Sequence, residues 1–369
     1  ANIGLSLYTQ INLQENSVLN SFGSDISFGF NAEMILDNSI VNVENSHFNM
    51  GDNSRIFLTS SCGSLFDAKS TEFSEPSSPL WRGIEISKSS CGPHGLQEQF
   101  AEYPLINNDG KCTASEWEGI LVTSANPLKL NGVASRIQMD NCNLYNAELA
   151  INVDGENNYY TGGGIARIRN TTFTNCQKGI RIAGWNKRSP NASHIMTCDF
   201  VWNDALQFPN SLDLQHIVFE SLDESFVRVG GCSFKNLQTS TYTLEERGIG
   251  IYADNSSFTL SKDGDRCCPV ENGSKCPDNC FGTGRSNRGN TFQNLGQGIV
   301  FNTGTRRHKF TCRYSDFVNC VFGIKAENSF DVQIGDNTFS VDKANIDTYF
   351  PVGYSTSPTV KQIYFKNSS

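Results

Sequence analysis

Hydrophobic positions recur along this chain in short alternating runs separated by tight polar turns. Thr172-Phe173-Thr174-Asn175-Cys176-Gln177-Lys178-Gly179-Ile180 sets the pattern: a Phe, an Asn two residues later, then Gly-Ile. Phe292, Asn294, Gly298 and Ile299 repeat it at the same spacing, as do Phe317, Asn319, Gly323 and Ile324. Leu144, Asn146, Ala150 and Ile151 form a conservative copy, and Phe200, Asn203, Ala205 and Leu206 a displaced one. Phe234 and Asn236 open another copy whose Gly248-Ile249 is delayed by an insertion carrying Tyr242. Weaker anchors stand at Phe48, Phe73, Phe219, Phe258 and Phe339. Self-similarity at recurring intervals of this size is the signature of a solenoid.

Each unit reads as strand, turn, strand, as in Ala166-Arg167-Ile168-Arg169 followed by Gly179-Ile180-Arg181-Ile182. No stretch between units carries a helical period, which disfavours βαβ units. Leucine at fixed short intervals is absent, and most units are too short for a four-stranded propeller blade. The fold class that remains is all-β: a single-stranded right-handed parallel β-helix, with Phe, Ile and Val pointing inward and stacking on their equivalents in the next coil. Asn after the Phe anchor sits where the chain turns, tolerates a left-handed backbone and bonds to the Asn above. Asn146, Asn175, Asn236, Asn294 and Asn319 are the expected ladder. Gly ahead of Ile is expected to let the chain bend at the next corner without a Cβ clash.

One domain is expected over 1–369, with loop insertions near 88–116, 238–247 and 261–287. The first 25 residues and those from 340 to 369 fit the repeat poorly and are expected to cap the ends, since open strand edges template further pairing. Trp81-Arg82-Gly83-Ile84 and Trp117-Glu118-Gly119-Ile120 read as two more Gly-Ile strands. The insertion between them holds Cys91 and Cys112, expected to close it with a disulfide.

In its W-x-G-I strands and F-x-N-x3-G-I coils, over roughly residues 30 to 340, the chain resembles the secreted parallel β-helix repeat proteins of Bacteroidota. The resemblance implies a pectate-lyase-like fold in an exported, surface-attached or released protein, adhesin-like and often one module of a larger chain or assembly. No recognisable C-terminal sorting domain follows the repeat.

Composition sharpens the picture. The 369 residues include 39 Asn, 32 Gly and 25 Phe but only 18% charged residues, the profile of many short strands and turns rather than a helical bundle. Aromatic content of 11% and 13 cysteines do not suit a disordered chain. A net charge of −9 offers no basic stripe for phosphates, so no nucleic-acid partner is expected. No apolar run approaches the roughly 18 residues of a membrane span. The cysteine count suits an oxidising compartment, hence an extracellular or cell-surface location, and being odd leaves at least one thiol without an internal partner. The chain starts at Ala1 without an initiator Met, as expected if a signal was removed or if it is part of a longer polypeptide. N-x-S/T sequons start at Asn170, Asn191, Asn255, Asn272 and Asn367.

Candidate chemistry is sparse. Cys267, Cys268, Cys276 and Cys280 lack the paired knuckles of structural zinc and are expected to form local disulfides. Asp263, Asp265 and Asp278 offer oxygens to calcium without an EF-hand pattern, so no metal site and no cofactor is assigned. Cys142, Cys198 and Cys232 share one column of the repeat, with Thr171 and Ile217 expected between them, and read as buried thiols. A catalytic cysteine needs a nearby His, and His47, His94, His194, His216 and His308 are scattered.

Polygalacturonase-like hydrolases would show N-T-D, an Asp pair, G-H-G and R-I-K. Here no Asp-Asp exists, His94 lies in an insertion, and Arg167-Ile168-Arg169 is a repeat strand. No pectate-lyase calcium cluster is found either. Acids such as Asp154 with Glu156, or Asp199 with Asp204, read as turn residues, and no catalytic residue is assigned.

Turns after the Gly-Ile strand are long in several coils and fall on one edge of a solenoid. They carry Tyr159 and Tyr160, then Trp185, Lys187 and Arg188, and later Arg306, Arg307 and His308. Rings beside amides and guanidinium groups suit sugar faces and hydroxyls. The leading expectation is therefore a non-catalytic module, adhesin or scaffold, that binds a polysaccharide or cell-surface glycan. A polysaccharide lyase or glycoside hydrolase acting on an acidic polysaccharide competes with it, and a structural filament subunit is the third reading.

Overall fold

The structure, a computed structural model, describes residues 2–5, 10–14, 17–29, 31–37, 39–51, 54–58, 65–74, 83–86, 136–153, 165–185, 193–204, 206, 214–222, 227–239, 247–262, 288–304, 308–329, 331–341 and 361–367. Among them are 32 strands and no α-helix. The strands form three parallel sheets, A and B with eleven strands each and C with ten. The chain visits A, B and C in turn, and every third strand pairs with its predecessor in the same sheet. One coil runs from Thr172–Thr174 in A through Lys178–Trp185 in B to His194–Met196 in C, and Asp199–Trp202 begins the next. This is a parallel β-helix, in the right-handed sense that parallel crossovers take.

The repeat anchors form the inner column of sheet A. Ile26, Phe48, Phe73, Leu144, Phe173, Phe200, Phe234, Phe292, Phe317 and Phe339 stand in register on successive coils. From Phe173 to Phe339 the rings are stacked, at centroid spacings between 4.6 Å (Phe173–Phe200) and 5.0 Å (Phe200–Phe234). The next sheet lines up Ile151, Ile180, Ile217, Ile251, Ile299 and Ile324, all fully buried. Sheet C closes the core with Ile168, Ile195, Val229, Leu260 and Cys312.

Two of the expected anchors belong to other columns. Phe219 lies in sheet B, in register with Ile182 and Ala253, and Phe258 opens a strand of sheet C, stacked on Phe310 at 4.8 Å. Ile217, expected in the cysteine column, belongs to the Ile column of sheet B. The Ser233 amide bonds to the Cys198 carbonyl at 2.9 Å, so Cys198 and Cys232 occupy neighbouring coils with nothing between them.

The corners are turned by left-handed residues. Of the sixteen described non-glycine residues with positive φ, eleven are Asn. Asn146, Asn175, Asn294 and Asn319 take the expected left-handed backbone; of the expected ladder, Asn319 Nδ2 donates to Asn294 Oδ1 at 3.5 Å, while Asn175 Nδ2 donates to Asn203 Oδ1 at 2.8 Å. Asn236 does not have a positive φ; its amide donates instead to the Arg247 carbonyl and its Oδ1 accepts from Gln238 N–H. Asn45, Asn141 and Asn170 turn the corner from C to A, and Asn255, Asn328 and Asn367 the one that leaves sheet B.

Strands Asn2–Leu5, Gln10–Gln14 and Val18–Phe22 already make a full coil, paired with Asp25–Phe28, Glu33–Asp37 and Ile40–Glu44. At the other end Lys361–Lys366 pairs with Phe322–Glu327 as the last strand of sheet B. Ile84 pairs with Ile56 on one side and Ile151 on the other, so these three residues stand on successive coils. The Gly-Ile strand expected at 117–120, and most of the three expected insertions, lie outside the described residues.

Candidate functional site

Connections from sheet B to sheet C all leave one edge of the solenoid, because each joins the end of a B strand to the start of a C strand. Tyr159 and Tyr160 fall in the connection after Leu149–Val153, Lys187 and Arg188 in the next one, and Arg306 and Arg307 in the one after Gln297–Asn302. These six residues lie outside the described ones. Trp185 ends its strand, in register with Leu222. His308 departs from the expectation of an exposed edge: it is 2% exposed, with Nδ1 3.4 Å from Ser257 Oγ. The strand that follows draws it in, since Lys309 N–H donates to the same Ser257 hydroxyl.

The six disulfide candidates Cys91, Cys112, Cys267, Cys268, Cys276 and Cys280 also lie outside the described residues. Described cysteines 142, 176, 198, 232, 312 and 320 are all free and buried. Burial pushes the thiols of Cys142, Cys176, Cys312 and Cys320 up to about 12, which keeps them protonated and poor nucleophiles. Among the described residues no group of three or more His, Cys, Asp or Glu is arranged to hold a metal ion.

What the described surface does offer is the outer face of sheet C. Alternation along each strand sends odd and even positions to opposite faces. One outward column runs Asn20, Asn42 and Asp67 and, further along, Arg167, His194 and Arg228, and the next runs Phe22, Glu44, Lys69, Asp140, Arg169, Met196. In the middle coils this face is buried, with Arg167 only 1% exposed, and in the last ones Lys309, Arg313 and Gln333 are exposed again. In the first coils it is open, and forms a groove of about 310 Å³ lined by Asn20, Phe22, Asn42, Val43, Glu44, Asp67 and Lys69.

The groove is chemically mixed. Asn42 Nδ2 donates to Asn20 Oδ1 at 2.8 Å. Lys69 Nζ is 3.8 Å from Asp67 Oδ2. The Asp67 carboxyl is nevertheless pushed up, by burial first and by the negative charges of Asp140 and Glu44, against the opposing pull of Lys69. Asp140 is held by Asn170 Nδ2 at 2.8 Å. Around the adjoining C-to-A corner lies a second depression, of about 450 Å³, whose lining includes Asp25, Asn45, His47, Glu72, Asn141 and Asn143. His47 bridges its neighbours there, with Nδ1 3.8 Å from Asp25 and Nε2 3.7 Å from Glu72.

Of the residues expected from the sequence to bind ligand, His308 is the one whose side chain is described, and it lines neither depression. The available signal was Phe22, an aromatic residue on the polar phase of the strand Val18–Phe22, in a segment assigned to an end cap. No protein-family profile matches the chain, and neither curated proteins nor solved structures include one that matches it significantly.

Proposed function

We propose that the chain is a non-catalytic extracellular or cell-surface module, an adhesin or scaffold, that binds glycan chains on its outer surface. The observation that carries this reading is the open outer face of sheet C, where an exposed ring, two amides, two carboxylates and an ammonium share one groove. Such a mixture suits sugars, which present apolar ring faces and many hydroxyls at once. Regular outward columns one coil apart also suit a polymer of repeating units. The resemblance to secreted Bacteroidota repeat proteins supports the same location and role.

A polysaccharide lyase or glycoside hydrolase is the second reading. It draws on Asp67, a carboxyl held toward its protonated form beside Glu44 and Asp140, as a general acid would be. One experiment separates the two. The full chain is incubated with acidic and neutral polysaccharides while binding, reducing ends and unsaturated products are followed together. Binding without product formation supports the module; turnover abolished by Asp67→Asn overturns it.

A further inference from the structure

The groove on the first coils of sheet C has a property that packing does not require. Phe22 is 66% exposed and stands at an outward position of its strand, whose buried phase is carried by Ser21 and, partly, Leu19. Its counterparts on the next four coils are Glu44, Lys69, Asp140 and Arg169, every one charged, before Met196 and Gly230 follow. The solenoid therefore folds with a polar side chain in this column, and the ring at position 22 adds apolar area to the solvent side only. An exposed ring of this kind, rimmed by polar groups, marks a place where something else is to be covered.

The rim says what. Asn20 and Asn42 use one donor and one acceptor on each other, which fixes both amide planes and leaves further N–H and C=O capacity on the groove side. Glu44 and Asp67 accept from hydroxyls, and Lys69 donates. Two carboxylates against one ammonium leave this rim net negative, like the chain as a whole at −9. A uronate or sulfated sugar would bring like charge into a partly desolvated groove, which costs affinity. A neutral pyranose brings none, and its apolar face matches the ring while its hydroxyls match the amides and carboxylates.

We infer that the Phe22 groove is a binding subsite for a neutral pyranose unit of an uncharged polysaccharide, with Phe22 as the stacking platform and Asn20, Asn42 and Glu44 as hydroxyl partners. This rests on the glycan-binding reading above and narrows it to a site and a sugar class. At about 310 Å³ the groove is at the lower end of small-molecule sites, the size of a single ring rather than an oligomer. The depression across the C-to-A corner, with Asn45, His47 and Asn143, continues the polar surface and would take the next unit.

The test uses the full chain and calorimetric titration with neutral hexasaccharides (cello-, manno- and xylo-oligomers) and with oligogalacturonate. The expected result is binding of at least one neutral oligomer, at least tenfold weaker in Phe22→Ala, retained in Phe22→Trp and weakened in Asn42→Ala. Because the ring is exposed, Phe22→Ala should melt with the parent protein, so lost binding reads as a lost contact. Neutral-sugar binding unchanged in Phe22→Ala but abolished in Trp185→Ala overturns the groove while leaving the glycan-binding reading in place. Binding confined to oligogalacturonate overturns the neutral-sugar assignment. No binding to any of the probes overturns both.

Discussion

At position 216 the chain places an imidazole where the neighbouring coils carry glycine. The column runs Gly179, His216, Gly250, Gly298 and Gly323, just ahead of the buried Ile column. The glycines are there for space. A Cβ on Gly298 would stand 2.6 Å from the Gly323 carbonyl oxygen and 2.8 Å from the Phe317 ring, and Gly179, Gly250 and Gly323 face the same obstruction. None of the four has a positive φ, so what they supply at this corner is the absence of a Cβ clash, as expected from the sequence, and not a left-handed turn. Gly298→Ala should therefore cost about 1–3 kcal/mol, the range for overpacking a core, measurable as a lower denaturation midpoint. His216 fits by lying on Trp202, with centroids 3.6 Å apart, between Phe200 and Phe234. Burial depresses its pKa from 6.5 to about 3. Between those values the unfolded chain takes up a proton that the folded one refuses, so stability is present above pH 6.5 and is lost as pH falls toward about 3. His216→Phe should flatten the urea midpoint across that window; an unchanged acid profile would show that His216 does not drive acid unfolding.

At the level of the strand and its corner, ring stacking and left-handed turns do most of the specifying. Phe292 is fully buried and stacked on Phe234 at 4.7 Å and on Phe317 at 4.8 Å. Phe292→Ala is expected to destabilise by about 3–5 kcal/mol, read by equilibrium denaturation, whereas Phe22→Ala on the outer face should leave the midpoint in place. The Phe–Asn–Gly-Ile units were legible in the sequence because each residue answers a local demand: a core position, a turn and a close approach. Phe219 and Phe258 were misplaced because an inward Phe fits any of the three sheets, and only pairing tells which. The same ambiguity put Ile217 between Cys198 and Cys232. Asn141, Asn170 and Asn328 follow strands that end in a charged residue, and Asn255 sits within Ile249–Ser256; none has the Phe anchor that marked the others as corner residues. The groove escaped notice for a related reason: Asn20, Asn42 and Asp67 come together only once three coils are stacked, and no local pattern announces their register.

For the whole molecule, three sheets grow by one strand per coil and end at strands whose outer edges are unpaired among the described residues. The last strand of sheet B leaves Ile363 41% and Phe365 49% exposed. Exposed apolar side chains on a terminal strand are what a filament subunit would present. Sedimentation of the full chain over a wide concentration range decides the matter. A filament subunit should associate progressively and be returned to monomer by Phe365→Lys, while a stand-alone module should sediment as one species throughout.

Asn141 Nδ2 donates to Ser70 Oγ on the adjacent coil although 71 residues of chain separate them; where the coil is shortest, Asn42 and Asn20 meet across only 22. Loop-closure entropy grows with the logarithm of length, so the longer path costs only about 1 kcal/mol more than the shorter one. Lengthening a connection is thus nearly free so long as the chain re-enters the ladder in register. Seen as a scaffold for protein engineering, the solenoid would accept a grafted peptide or a small guest domain between Ile86 and Arg136 and hold it at a fixed height along the rod, with the coils on either side still paired.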